Sequence, residues 1–203
     1  MSEQDSLCTI IVGRHGQTEW NVSGTIQGHM DSPLTTQGEQ QAHELATELK
    51  DLKFDAIFSS DLLRAKRTAE IVAIEHQLAV VTSEALRERK LGKLEGTKED
   101  EYAILQKLRE SAQKSGYEDL GIERDEQIAY RLITFLRKIV VAYPSKNVLV
   151  ITHGGVLRVL LVHLGFSSND EINSAIVSNT AYIKLKSDGV DFFIEKTKGI
   201  KVN

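Results

Sequence analysis

The sequence predicts an α/β protein, a three-layer αβα sandwich around a mostly parallel central sheet. Three observations predict it. Short apolar, β-branched runs alternate with segments of helical periodicity, the pattern of strands joined by crossover helices. The apolar runs are continuous, as in strands covered on both faces. Two of them also end alike, in a histidine followed by glycine: Val12-Gly13-Arg14-His15-Gly16 and Ile151-Thr152-His153-Gly154-Gly155.

Taken in order, residues 7–12 form the first strand. Thr36-Gln37-Gly38-Glu39 has capping-box spacing and opens a helix reaching about Lys50. Residues 55–58 read as the second strand, and Ser60 or Asp61 caps a helix to about His76. Residues 79–82 are the third strand. Thr97-Lys98-Glu99-Asp100 marks a further helix start, ending near Lys114. Ile128, Leu132, Phe135, Leu136 and Ile139 recur at helical spacing, which predicts an amphipathic helix stopped by Pro144. Residues 148–151 are the next strand, followed by a helix over 155–164 with Gly165 in the C′ position. Ala181, Ile183 and Leu185 alternate with Tyr182, Lys184 and Lys186, a half-exposed strand. Asp188-Gly189 turns it into a last strand over 190–195. With no repeat and no linker-like stretch, residues 1–203 read as a single catalytic domain. Residues at about 97–123 form an inserted helical cap, whose 4 basic and 7 acidic residues make it solvated rather than an anion clamp.

Composition narrows the function classes. The 203 residues are 41% hydrophobic and 27% charged, which excludes fibrous and disordered classes. With 25 Lys+Arg against 29 Asp+Glu the net charge is −4, so no basic field exists for nucleic acid or a membrane surface. The polar, acidic start (Met1-Ser2-Glu3-Gln4-Asp5) is unlike a secretion signal, and no apolar run approaches the ~20 residues of a membrane span. The lone Cys8 suits a reducing compartment. A soluble, cytoplasmic protein is the expectation, with a homodimer a permitted assembly.

The two histidines carry the chemistry. In an open parallel sheet the carboxyl ends of the strands form the ligand crevice, so His15 and His153 are delivered to one edge. The glycine after each allows close approach of a ligand, and His153 stands at a helix N-terminus, which favours an anion. Arg14 adjoins the first histidine and Arg64 follows the end of the second strand, adding guanidinium forks suited to phosphate. Two arginines and two histidines at three strand ends describe a phosphoryl site. A neutral imidazole can attack phosphorus there, and flanking arginines hold it neutral. The leaving oxygen then needs a proton donor, for which Glu88 in Leu86-Arg87-Glu88-Arg89 is the best candidate, although spacing alone reads it as a loop carboxylate.

Other signals carry less. Cys8 and Arg14 have the Cys-x5-Arg spacing of cysteine-dependent phosphatases, but the strand between them separates the two by roughly 20 Å. His29 and Asp31 are the only tight pair of metal-ligand types, and no nucleotide-binding glycine motif occurs, so no metal or cofactor is expected. The run Arg87, Arg89, Lys90 and Lys93 either holds a second anionic group on the substrate or is a solvated face.

Arg14-His15-Gly16-Gln17-Thr18-Glu19-Trp20-Asn21 resembles the signature of the histidine phosphatase superfamily, the phosphoglycerate mutase-like proteins. Further matches follow in family order: Gln27-Gly28 with Asp31, Ser59-Ser60-Asp61-Leu62 with Arg64, Leu86-Arg87-Glu88, Thr152-His153-Gly154-Gly155 and Asn179-Thr180. The resemblance implies the phosphoglycerate mutase-like fold and makes His15 the nucleophile. It makes Arg14, Arg64 and His153 phosphoryl ligands and Glu88 the acid/base. Asn21, Gln27 and Gly28 then assist around the phosphoryl group, with Gly154 and Arg87 completing the substrate-binding set. Mutases of the family carry an aromatic residue, an Asn-Lys pair and an Arg-Arg pair where this chain has Leu91, Lys98-Glu99 and no Arg-Arg, while Arg89 and Leu94 keep the mutase pattern. The expected function is therefore a metal-independent phosphomonoesterase acting on a small phosphorylated metabolite. A phosphoglycerate-type mutase and a non-catalytic phospho-ligand binder are the alternatives.

Overall fold

The computed structural model describes residues 7–98, 121–168, 171–172 and 175–202. Within them one mixed sheet is built from β1 (Cys8–Arg14), β2 (Ala56–Ser59), β3 (Val80–Thr82), β4 (Asn147–Thr152), β5 (Ile176–Ser187) and β6 (Phe192–Lys201). The strand order is β3-β2-β4-β1-β5-β6. The first four in that order run parallel, β5 is antiparallel to β1, and β6 is antiparallel to β5. The connections carry helices α1 (Glu19–Ser23), α2 (Thr36–Leu49), α3 (Leu63–His76), α4 (Asp125–Ala142) and α5 (Gly154–His163).

Side-chain alternation divides the core into two layers. From β1 and β4, Ile10, Val12, Val148 and Val150 pack with Leu132, Leu136, Leu157 and Leu161 of α4 and α5. Ile11, Leu149 and Ile151 face the other way, onto Leu45 and Leu49 of α2 and Ala65, Ala69 and Val72 of α3. Both faces of the central strands are thus buried, which is why those strands read as unbroken apolar runs. The predicted αβα sandwich is the observed one.

Several local expectations change. Thr35, not Thr36, caps α2, its hydroxyl accepting from Gly38 N at 2.9 Å, so the expected box with Glu39 does not form. Neither Ser60 nor Asp61 caps α3. Ser60 Oγ reaches only Leu62 N, at 3.3 Å, and the helix amides of Leu63 and Arg64 donate instead to Asp31, a residue more than thirty positions earlier. The short helix α1 was not expected from sequence. Thr18 caps it in a reciprocal box with Asn21, whose side chain accepts from Thr18 N at 3.1 Å. The hairpin turns at Asp188, whose carboxylate accepts from Val190 N and Asp191 N at 2.9 Å each, so β6 starts at Phe192. Of the proposed cap, residues 99–120 lie outside the described residues, as does the helix expected to end near Lys114. Cys8 is a buried strand residue whose thiol burial pushes up in pKa, unsuited to nucleophilic work.

Candidate active site

Register brings the two histidines together. β1 and β4 pair in parallel up to Arg14 opposite Thr152, and the ladder continues with His15 N donating to Thr152 O at 3.1 Å. The next residue on each strand is a histidine. Their rings meet edge-on, with centroids 5.2 Å apart, and both side chains are buried.

Hydrogen bonding fixes the state of His15. Nδ1 lies 2.7 Å from Gly16 O, and because a carbonyl only accepts, Nδ1 carries the proton and the lone pair is on Nε2. Burial, then Arg64 and Arg14, hold the His15 pKa well below its usual range. His153 is lowered in the same way by burial, Arg64, His15, Arg131 and Arg14. Neither ring nitrogen of His153 has a hydrogen-bond partner among the described residues.

The backbone around His15 is clamped from several sides. Gly16 N donates to Thr68 Oγ1 at 3.0 Å, tying the loop to α3. A Cβ on Gly16 would stand 2.4 Å from Gly38 O, so glycine there lets the α2 N-terminus dock against the loop. From β5, Thr180 N and Asn179 Nδ2 both donate to His15 O at 3.3 Å. Thr180 does so with φ 56°, a left-handed conformation costing a β-branched residue about 1–3 kcal/mol. That bulge was not foreseen, since no residue type in Asn179-Thr180 announces it.

The arginines are held by backbone oxygens. Arg64, only 1% exposed, donates to Gly28 O (2.7 Å), Met30 O (2.8 Å) and Asp31 Oδ1 (2.9 Å), while its Nε has no partner among the described residues. Arg14 donates to Val177 O, and a Cβ on Gly154 would lie 3.2 Å from Arg14 Nε. Asn21 Oδ1 also accepts from Asn179 Nδ2 at 3.3 Å, and Gln27 Nε2 donates to Thr18 Oγ1 at 2.9 Å, linking both predicted residues to the loop after His15.

Glu88 occupies the place the sequence suggested for an anion. Its Oε2 accepts from Gly155 N, in the first turn of α5, at 3.1 Å, and its Oε1 from Arg89 N at 2.8 Å. The Glu88 carboxyl group therefore fills the place at that helix N-terminus. Arg87 is placed differently: it forms a two-pronged pair with Asp61 (2.8 and 2.5 Å) and reaches Glu84 at 3.0 Å, so its guanidinium is engaged by carboxylates rather than by the histidines. Among the described residues no group of three or more metal-ligand side chains occurs, and no helix is long and apolar enough to cross a membrane.

Residues 10–198 match the histidine phosphatase superfamily (branch 1). The chain is 34% identical over 176 residues to an uncharacterised phosphatase, PhoE, of Bacillus subtilis, covering 85% of each. It is 36% identical over 172 residues to a metal-independent phosphoserine phosphatase of Arabidopsis thaliana, covering 82% of this chain and 72% of the relative. A phosphoglycerate mutase from Bacillus anthracis superposes with a TM-score of 0.81 at 27% identity, covering 97% of this chain and 95% of that one. By motif order, site geometry and sheet topology alike, the chain belongs to the histidine phosphatase superfamily, among phosphatases and phosphoglycerate mutase-like enzymes.

Proposed function

We propose that the chain is a metal-independent phosphomonoesterase working through a phosphohistidine at His15. The observation that carries this reading is the Nδ1–Gly16 O bond, which leaves a lone pair on Nε2 in a pocket where burial and two arginines keep the imidazole neutral. Nε2 attacks the substrate phosphorus and forms an N–P bond as the ester P–O bond breaks. The leaving oxygen takes a proton from Glu88. Water then attacks the phosphorus, giving its proton to the Glu88 carboxylate. The N–P bond breaks, inorganic phosphate departs, and His15 regains its lone pair.

The remaining residues stabilise charge. His153 and the Nε of Arg64 are buried polar groups that phosphoryl oxygens would satisfy, and Arg14 adds a second guanidinium. Asn21, Gln27, Gly28 and Gly154 form the surrounding wall. The carboxylate left after proton donation is stabilised where it sits by the Gly155 and Arg89 amides. Hydrolysis is favoured over a mutase by Leu91 and the absence of an Arg-Arg pair, and the name of the Arabidopsis relative supports a metal-independent reaction.

The test is a panel of small phosphorylated metabolites, phosphoglycerates included, assayed with and without EDTA for released phosphate and for isomerised product. Phosphate release that survives chelation is expected. Isomerisation without net release would replace the reading with a mutase, and loss of activity in EDTA would end it.

A further inference from the structure

We infer that Arg131, on α4, is a positioning residue for Glu88: with Glu123 it holds the acid's loop from outside while the Gly155 amide holds the carboxylate from inside. The inference rests on Glu88 being the acid. Residues 87–91 have no regular secondary structure, so no helix or strand ladder sets the direction of that side chain. Arg131 instead fixes the backbone from which that side chain leaves. Arg131 Nη1 donates to Ala85 O at 2.8 Å, Nη2 to Glu88 O at 3.2 Å, and Nε to Glu123 Oε1 at 2.6 Å.

Glu123 completes the frame. Its other carboxylate oxygen accepts from Arg131 Nη2 (2.9 Å) and Lys90 N (3.2 Å). Its own N–H donates to Lys90 O at 2.9 Å, and its carbonyl accepts from Arg89 Nη1 at 2.8 Å. Backbone on both sides of Glu88 is therefore tied to one ion pair, and Arg131 is anchored by the fully buried neighbours Ile128 and Leu132. Only a planar, multi-donor head can serve these acceptors together, so lysine is no equivalent. On the inner side, a Cβ on Gly155 would stand 2.5 Å from Glu88 Oε1, so any side chain there displaces the carboxylate. General acid catalysis is steeply sensitive to such displacement.

The experiment compares Arg131→Lys and Gly155→Ala with Glu88→Gln, each checked for folding by thermal unfolding, on one aryl and one alkyl phosphate. An aryl leaving group departs with little protonation, whereas an alkyl one depends on it. Both variants should lose about tenfold or more in kcat on the alkyl phosphate and less than about threefold on the aryl phosphate, as Glu88→Gln should more strongly. A merely structural role would slow both substrates alike, and that result, or no slowing, overturns the inference. If Arg131→Lys does not fold, Glu123→Gln, which breaks the ion pair that holds Arg131 on the loop, takes its place and must show the same selectivity. Absence of leaving-group selectivity in Glu88→Gln itself removes the acid assignment and the inference with it. Selectivity in Glu88→Gln alone overturns the inference and spares the reading.

Discussion

Asp31 joins two tasks that a single substitution separates. Its carboxylate accepts from the first amides of α3 and from Arg64 Nη1 at 2.9 Å, so it caps the helix and fixes the guanidinium that the helix delivers. Replacing it by alanine removes the cap, about 1 kcal/mol, and a hydrogen bond to a charged group, about 1.5–3 kcal/mol. The Asp31 side chain is 21% exposed and Arg64 keeps the Gly28 and Met30 carbonyls, so water recovers part of the loss. That leaves about 2–3 kcal/mol. For a domain of this size it lowers the midpoint of thermal unfolding by about 5–10 °C. Asp31→Asn keeps an acceptor for the helix amides and should recover about 1 kcal/mol. Urea and thermal unfolding of the two variants, alongside KM for an aryl phosphate, read both tasks. A change within about 0.5 kcal/mol for Asp31→Ala, the size of an ordinary surface substitution, refutes the reasoning.

The two buried histidines give the protein a defined pH response. Both have folded pKa values well below 6.5, so below pH 6.5 the unfolded chain binds protons that the folded one does not, and stability is lost as the pH is lowered. Each histidine steepens that fall by up to about 1 kcal/mol per pH unit, and His15→Gln should flatten it in urea melts taken between pH 7.5 and 5.5. Nucleophilic attack, by contrast, needs only neutral His15. Single-turnover rates corrected for substrate ionisation should pass through pH 6.5 without a step, and a step at 6.5 would show an unperturbed imidazole.

What the sequence revealed and what it hid follow the range of the interactions. The apolar runs ending in His15 and His153 were readable because each strand buries both faces, and adjacency of β1 and β4 did the rest. The amphipathic spacing of Ile128, Leu132 and Leu136 was readable because α4 lies along the sheet with one stripe buried. Long-range polar contacts left no local trace. Asp31 capping a helix that starts at Leu63, and Arg131 reaching Glu88, join residues far apart in the chain. Arg87 is the converse: its place in the basic run with Arg89, Lys90 and Lys93 suggested a contact to an anionic substrate group, while in the fold its Nε and Nη2 are engaged by Asp61 and Glu84. The Thr18–Asn21 box of α1 had a local signal, a Thr three residues before an amide, and could have been found.

The central claim is the covalent intermediate on His15. Rapid quenching during aryl phosphate turnover under alkaline conditions, which preserve phosphohistidine, followed by peptide mass spectrometry, tests it directly. One phosphoryl group on the peptide containing His15, absent together with all turnover in His15→Ala, is the predicted result. A phosphoryl group on another residue, or hydrolysis persisting in His15→Ala, contradicts the account.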